Sequence, residues 1–148
     1  MILGTGFDTV DIRRIEASIQ KFGARFETRV FTKNEIAKAH KRVAGGRHSP
    51  RAATFAKRFA AKEACAKALG TGISFGVSWR EIEVVNAASG KPEILLHGRA
   101  AALAKSLCPA ATLPKLHLSL SDDYPYAYAQ VIFEAVPPEK SPSPRGEG

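Results

Sequence analysis

Three charged side chains, Asp8, Glu63 and Lys67, stand out against the patterning around them. Glu63 and Lys67 lie in an Ala-rich stretch that reads as one long helix, about 50–69. On a wheel of 100° per residue its apolar arc holds Phe55, Phe59, Ala66 and Leu69, with Glu63 at the edge, about 80° from Phe55. Lys67 follows one turn later, and Lys62 falls inside the arc between Phe59 and Leu69. Charged residues in or beside an apolar stripe break simple patterning, and such breaks tend to mark sites. The alternative is a solvated Glu63–Lys67 pair at i, i+4, worth about 0.2–0.5 kcal/mol. Pattern alone does not separate the two. Asp8 ends a glycine-rich strand, where neighbouring glycines would let a ligand come close. It could equally serve the dipole of the helix that follows. Taken together, two carboxylates from separate elements can hold Mg²⁺, which prefers oxygen ligands and keeps waters and substrate phosphates in its shell. A lysine on the same helix face can meet phosphate charge, and Gly70-Thr71-Gly72 gives flexible backbone just beyond. That set suits phosphoryl-type transfer, where positioning and charge neutralisation supply most of the catalysis. No Ser/His/Asp or Cys/His set suggests an acyl-enzyme.

The elements that must position these residues are legible from punctuation and period. Residues 2–8 read as a short strand. A helix over about 11–22 follows, with Asp11 as N-cap, Ile12, Ile15, Ile19 and Phe22 as its apolar stripe, and Gly23 as its stop. Thr32-Lys33-Asn34-Glu35 is a capping box for a helix over about 33–43. Beyond a loop at Gly45-Gly46-Arg47-His48, Ser49-Pro50 supplies an N-cap with proline at the first helical position, opening the long central helix that Gly70 closes. The second half changes period: a strand from Trp79 to Val85, a turn over 88–92, a returning strand from Glu93 to Leu96, and an Ala-rich helix over about 98–107. Leu116, Leu118 and Leu120 alternate with His117, Ser119 and Ser121 as a half-buried strand. Asp122-Asp123-Tyr124-Pro125 turns into a last strand near Tyr126 to Ala135. The pattern predicts an α+β domain over 1–136, with helices around a small, mainly antiparallel sheet. From Pro137 onward Pro, Ser, Gly and charges dominate, and 137–148 is expected to be a disordered tail.

Length and composition describe one globular domain of 148 residues, 45% hydrophobic and 24% charged. Cys65 and Cys108 show no metal-ligand spacing and read as reduced thiols. No apolar run approaches the ~20 residues needed to span a bilayer, and the start Met-Ile-Leu-Gly-Thr-Gly carries no basic leader. Cytoplasmic residence is therefore expected. The net charge of +8 is uneven. Residues 1–70 hold 15 Lys/Arg against 6 Asp/Glu, and residues 71–148 hold 7 against 8. A balance of +9 in one half points to an acidic partner or substrate: nucleic acid, a polyphosphate ligand or an acidic protein.

Two segments go further. Gly4-Thr5-Gly6-Phe7-Asp8-Thr9-Val10-Asp11-Ile12-Arg13-Arg14-Ile15 closely resembles the opening G-x-G-x-D-x-x-x-x-x-R-I of bacterial holo-[acyl-carrier-protein] synthases. Arg58-Phe59-Ala60-Ala61-Lys62-Glu63-Ala64-Cys65-Ala66-Lys67-Ala68-Leu69-Gly70-Thr71-Gly72-Ile73 resembles their second signature, R-F-A-A-K-E-A-x-x-K-A-x-G-T-G-I. Gly90-Lys91-Pro92 matches a short turn of the same family. The resemblance implies an enzyme of lipid and fatty-acid biosynthesis. It would transfer 4′-phosphopantetheine from coenzyme A to a serine of an acyl carrier protein, releasing adenosine 3′,5′-bisphosphate. It implies Asp8 and Glu63 as Mg²⁺ ligands, and Lys67, Lys62 and Arg58 on phosphates. Gly70, Thr71, Gly72, Ile73, Gly90, Lys91 and Pro92 would lie near the nucleotide. Arg14, with Arg13, Lys21, Arg25 and Arg29, would dock the acidic helix of the carrier. A homotrimer with active sites between subunits is also implied. Many members carry a His after the penultimate strand, where this chain has Asp122-Asp123, which leaves the general base unassigned. His117 on that strand reads as a structural or surface residue. The rival from another class, a small basic nucleic-acid-binding module, uses the same +9 half but gives no role to Asp8 and Glu63 and lacks aromatic-rich strands.

Overall fold

The computed structural model describes residues 1–44 and 48–139. The glycine loop at 45–47 and residues 140–148 of the expected tail lie outside the described residues. The first strand, β1 (Ile2–Asp11), runs three residues further than its sequence suggests, because Thr9, Val10 and Asp11 continue to pair with the last strand. Asp11 then caps α1 (Ile12–Phe22) by accepting from the Arg13 amide at 3.0 Å. The apolar stripe of α1 works as read at its start, where Ile12 and Ile15 are buried, whereas Phe22 is left exposed. Gly23, with φ 54°, ends α1 and also begins an unforeseen helix, α2 (Ala24–Val30). Phe26 and Val30 of α2 turn inward, and its Glu27 pairs with His40.

Thr32 and Glu35 form the reciprocal capping box of α3 (Lys33–His40). Its end comes early because the backbone tightens into i→i+3 bonds, Lys41 to Lys38 and Arg42 to Ala39. The central helix α4 (Pro50–Leu69) has the limits its sequence marks: the Ser49 hydroxyl accepts from the Ala52 amide at 3.2 Å, and Gly70 adopts φ 85°. Trp79–Glu81 winds as a single 3₁₀ turn instead of opening a strand. The Glu81 carboxylate holds it there, accepting from Ser78 on one side and from the Arg99 and Ala100 amides on the other. There follow β2 (Ile82–Asn86), β3 (Pro92–Leu96), α5 (Gly98–Leu107), β4 (Leu113–Asp123) and β5 (Tyr126–Val136).

Two antiparallel sheets result, β1-β5-β4 and the separate hairpin β2-β3. The α4 helix crosses one face of the larger sheet, over Val131, Phe133 and Leu118, and its other flank is covered by α3 and β2. Cys65 is buried in that core, its thiol pushed up to about 12 by burial. The opposite sheet face carries Phe7, stacked on Tyr128 at 6.4 Å, with Ile132 and the exposed Gln130, and no element of the described chain covers it.

Candidate active site

Strand phase and helix seating build the site together. Gly4, Gly6 and Asp8 alternate onto the same face of β1, the face that meets α4. A Cβ on Gly4 would stand 2.0 Å from the Ala68 carbonyl oxygen, and one on Gly6 would stand 1.8 Å from that of Ala64. These glycines therefore admit the backbone of α4 rather than a ligand, which corrects the expectation from sequence. With the helix seated on β1, the next residue of that face, Asp8, arrives beside the last turns of α4. Lys67 Nζ donates to Asp8 Oδ1 at 3.0 Å and to the Phe7 carbonyl at 2.9 Å. Lys67 thus chooses Asp8, and no Glu63–Lys67 ion pair closes among the described residues. Burial pushes the Glu63 carboxyl up, the charge of Asp8 adds to the rise, and Lys67 opposes it. Asp8, Glu63 and Lys67 border one cleft of about 480 Å³ with Arg14, Ser18 and Phe59.

The two carboxylates fit a hard divalent cation. They come from different elements and border a common cleft, and one of them, Asp8, already holds an ammonium. Among the described residues no group of three or more His, Cys, Asp or Glu is placed to hold a metal ion. A two-carboxylate set is what Mg²⁺ commonly takes, since it keeps waters and phosphate oxygens in its remaining positions.

Other predicted site residues lie elsewhere. Lys62 is fully buried, with Nζ donating to Glu35 Oε1 at 2.7 Å, to the Trp79 carbonyl at 3.0 Å and to the Ile82 carbonyl. It reaches no open space, so the expectation that it holds phosphate is corrected: a lysine inside an apolar arc was a core ion pair. Burial presses its ammonium below the usual lysine range, against the pull of Glu35. Arg58 is also buried, donating to the Thr54 carbonyl at 3.3 Å and to Asn86 Oδ1 at 3.4 Å, while its Nε has no protein partner. Burial and the neighbouring Arg42 lower its pKa while Glu35 opposes. Asn86 also donates to the Gly90 carbonyl at 2.9 Å, so Arg58 and the Gly90-Lys91-Pro92 turn form a second locus. At 100° per residue, Glu63 and Lys67 lie about 140° and 180° around α4 from Arg58. Nothing in the sequence pattern singled out Asn86 as the link.

Gly70, Thr71 and Gly72 wrap the C-terminal end of α4, where the Thr71 and Gly72 amides donate to the Ala66 carbonyl at 3.2 and 3.3 Å. At 1.5 Å per residue they stand about 18 Å along the helix from Arg58. Of the basic residues expected to dock a partner, Arg14 borders the cleft, and Arg25 and Arg29 line an adjoining hollow with Phe22 and Phe26. Lys21 lies over the Phe22 ring, and Arg13 is engaged by Asp11 at 2.7 Å. Asp122 is held by Lys57 at 3.0 Å, and His117 pairs with Glu134 at 2.9 Å on the uncovered sheet face.

Residues 4–129 match the model of the 4′-phosphopantetheinyl transferase superfamily. The chain belongs to that family. It is 53% identical over 137 residues, 93% of this chain and 98% of the relative, to the holo-[acyl-carrier-protein] synthase of Rhizobium leguminosarum bv. trifolii. Its fold is similar to the crystal structure of holo-[acyl-carrier-protein] synthase from Neisseria meningitidis, with a TM-score of 0.74 and 38% identity over 90% of this chain and 99% of that one. The Bacillus anthracis holo-(acyl-carrier-protein) synthase in complex with CoA (3′,5′-ADP) superposes with a TM-score of 0.71 at 36% identity, covering 92% and 99% of the two chains.

Proposed function

We propose that this chain transfers 4′-phosphopantetheine from coenzyme A to a serine of apo acyl carrier protein, with Mg²⁺ held by Asp8 and Glu63. The observation that carries the reading is the convergence of Asp8, Glu63 and Lys67, from two distant stretches of chain, on one cleft. In the reaction the serine oxygen bonds to the phosphorus that bears pantetheine, and the bond from that phosphorus to adenosine 3′,5′-bisphosphate breaks. Bound Mg²⁺ supplies positive charge to the pyrophosphate and to the leaving phosphate. Lys67 adds a half-exposed cation on the same side, and Phe59 and Phe26 border the cleft with apolar surface. Catalysis is then mostly positioning and charge neutralisation.

Arg58, Lys91 and the Gly90–Pro92 turn, with Gly70–Gly72, serve the nucleotide end of coenzyme A. The Arg58 locus and the Asp8–Glu63 cleft lie on different flanks of α4, so one coenzyme A reaches both without wrapping the helix when adjoining copies supply them. The uncovered sheet face around Phe7, Tyr128 and Ile132 is the surface available for that contact, consistent with a homotrimer. Arg14, Arg25 and Arg29 present positive charge at the mouth of the cleft and beside it, where an acidic carrier helix would dock. The folded catalytic unit is 1–136, closing with β5.

The test is intact-mass measurement of apo acyl carrier protein incubated with the chain, coenzyme A and Mg²⁺, beside an EDTA control. A gain of one phosphopantetheine, lost with EDTA, is expected. No gain on any of several carriers overturns the reading.

A further inference from the structure

The cleft holds a cation of its own on one of the two carboxylates a metal would need. Lys67 Nζ takes two acceptors there, Asp8 Oδ1 at 3.0 Å and the Phe7 carbonyl at 2.9 Å. The backbone behind it is fixed, because Gly4 and Gly6 seat the end of α4 directly on β1. The side chain itself is half exposed, whereas the Asp8 side chain is only 17% exposed. A seated backbone and a half-exposed side chain leave the ammonium room to change partners. Glu63 borders the same cleft as Asp8 and Lys67, so the two carboxylates crowd like charge there and Lys67 is the positive group that offsets it.

We infer that Lys67 is a tethered stand-in for the metal: in the substrate-free chain it occupies Asp8, and it gives that post up when a divalent cation and a phosphate-bearing substrate arrive. The inference rests on the metal reading of Asp8 and Glu63. Two consequences follow from charge alone. The lysine and a divalent cation compete for Asp8, so the substrate-free site binds metal more weakly than its two carboxylates would by themselves. Substrate phosphates give the ammonium a second post, so coenzyme A strengthens metal binding, and by reciprocity metal strengthens coenzyme A binding. Keeping the carboxylates neutralised before substrate arrives also limits their mutual repulsion in the resting protein.

The experiment is a Mn²⁺ titration of the full chain, followed by the electron paramagnetic resonance signal of free Mn²⁺, without and then with coenzyme A. Wild type, Lys67→Met, Lys67→Arg and Asp8→Asn are compared. Removing one positive charge a few ångströms from the metal, in a partly solvated cleft, is expected to tighten Mn²⁺ binding by Lys67→Met about three- to tenfold without coenzyme A. Lys67→Arg, which keeps the charge, should stay near wild type. Coenzyme A should strengthen Mn²⁺ binding in wild type more than in Lys67→Met. Equal or weaker Mn²⁺ binding by Lys67→Met, while wild type binds in an Asp8-dependent way, overturns the stand-in role and leaves the metal site intact. If wild type and Lys67→Met both bind no better than Asp8→Asn, the metal reading fails, and the stand-in with it.

Discussion

On one flank of α4 Lys62 reaches Glu35 at 2.7 Å, and on another Lys67 reaches Asp8 at 3.0 Å. The two pairs match in chemistry and nearly in length, yet the helix puts them to different uses. Lys62 spends all three donors on Glu35 and two backbone carbonyls. Glu35 likewise accepts from the Thr32 and Val84 amides as well as from Lys62. Nothing is left over for a ligand, and both side chains are fully buried. The Lys67–Asp8 pair is closed on one side and open on the other, in a medium where an ion pair is worth about 0–1 kcal/mol. A pair that weak can be exchanged for a metal and a phosphate. What separates structural from functional charge here is the number of internal partners and access to water, since residue type and distance are nearly the same.

The largest effect should come from breaking the buried pair. Lys62→Met leaves Glu35 buried without its counter-charge and is expected to cost about 3–5 kcal/mol in urea unfolding, with Lys62→Met/Glu35→Leu recovering most of it. A loss below about 1 kcal/mol in the single variant would mean that the two flanks do not differ as described. Next come Asp8→Ala and Glu63→Ala. Each should lower carrier modification by about 10²–10³-fold, the scale of losing preorganised charge stabilisation, while the melting temperature stays close to that of wild type. Near-normal turnover of either variant would remove the proposed metal site.

The smallest effect has an unusual sign. The Glu63 carboxyl is raised by burial and by Asp8, so ionising it is harder in the folded chain than in the unfolded one. For such a group the stability penalty is absent at low pH and grows as pH rises through the folded value. Glu63→Gln should therefore raise the melting temperature of the metal-free protein, by about 1–2 °C at pH 7.5 after allowing for solvent screening, with the gain vanishing below about pH 4. Scanning calorimetry in EDTA across that range checks it. A gain that persisted at low pH would point to packing instead of charge.

Both ends of α4 were legible because they depend on neighbours in the chain: the Ser49 hydroxyl, the fixed φ of Pro50 and the positive φ open to Gly70 act locally. The capping box of α3 was readable for the same reason, whereas the start of α5 has no side-chain cap of its own and is held by Glu81, whose carboxylate accepts from the Arg99 and Ala100 amides. The extension of β1 to Asp11 was not, since it depends on pairing with Tyr126, Ala127 and Tyr128 more than a hundred residues away. Nor was α2, whose inward residues answer to Phe31 and His40 more than to its own period.

The candidate site divides along the same line. By itself the sequence determined the family, the α+β class and the residues able to carry phosphoryl-type chemistry, because motif identity and local periodicity are properties of the chain alone. Only the tertiary structure decided which lysine was free and which carboxylate it met. Lys62 and Lys67 both break the helical pattern, and telling them apart needs the position of Glu35, Trp79 and Ile82 on one flank and of Phe7 and Asp8 on the other. Burial and charge pairing depend on distances between segments remote in sequence, which no local pattern encodes.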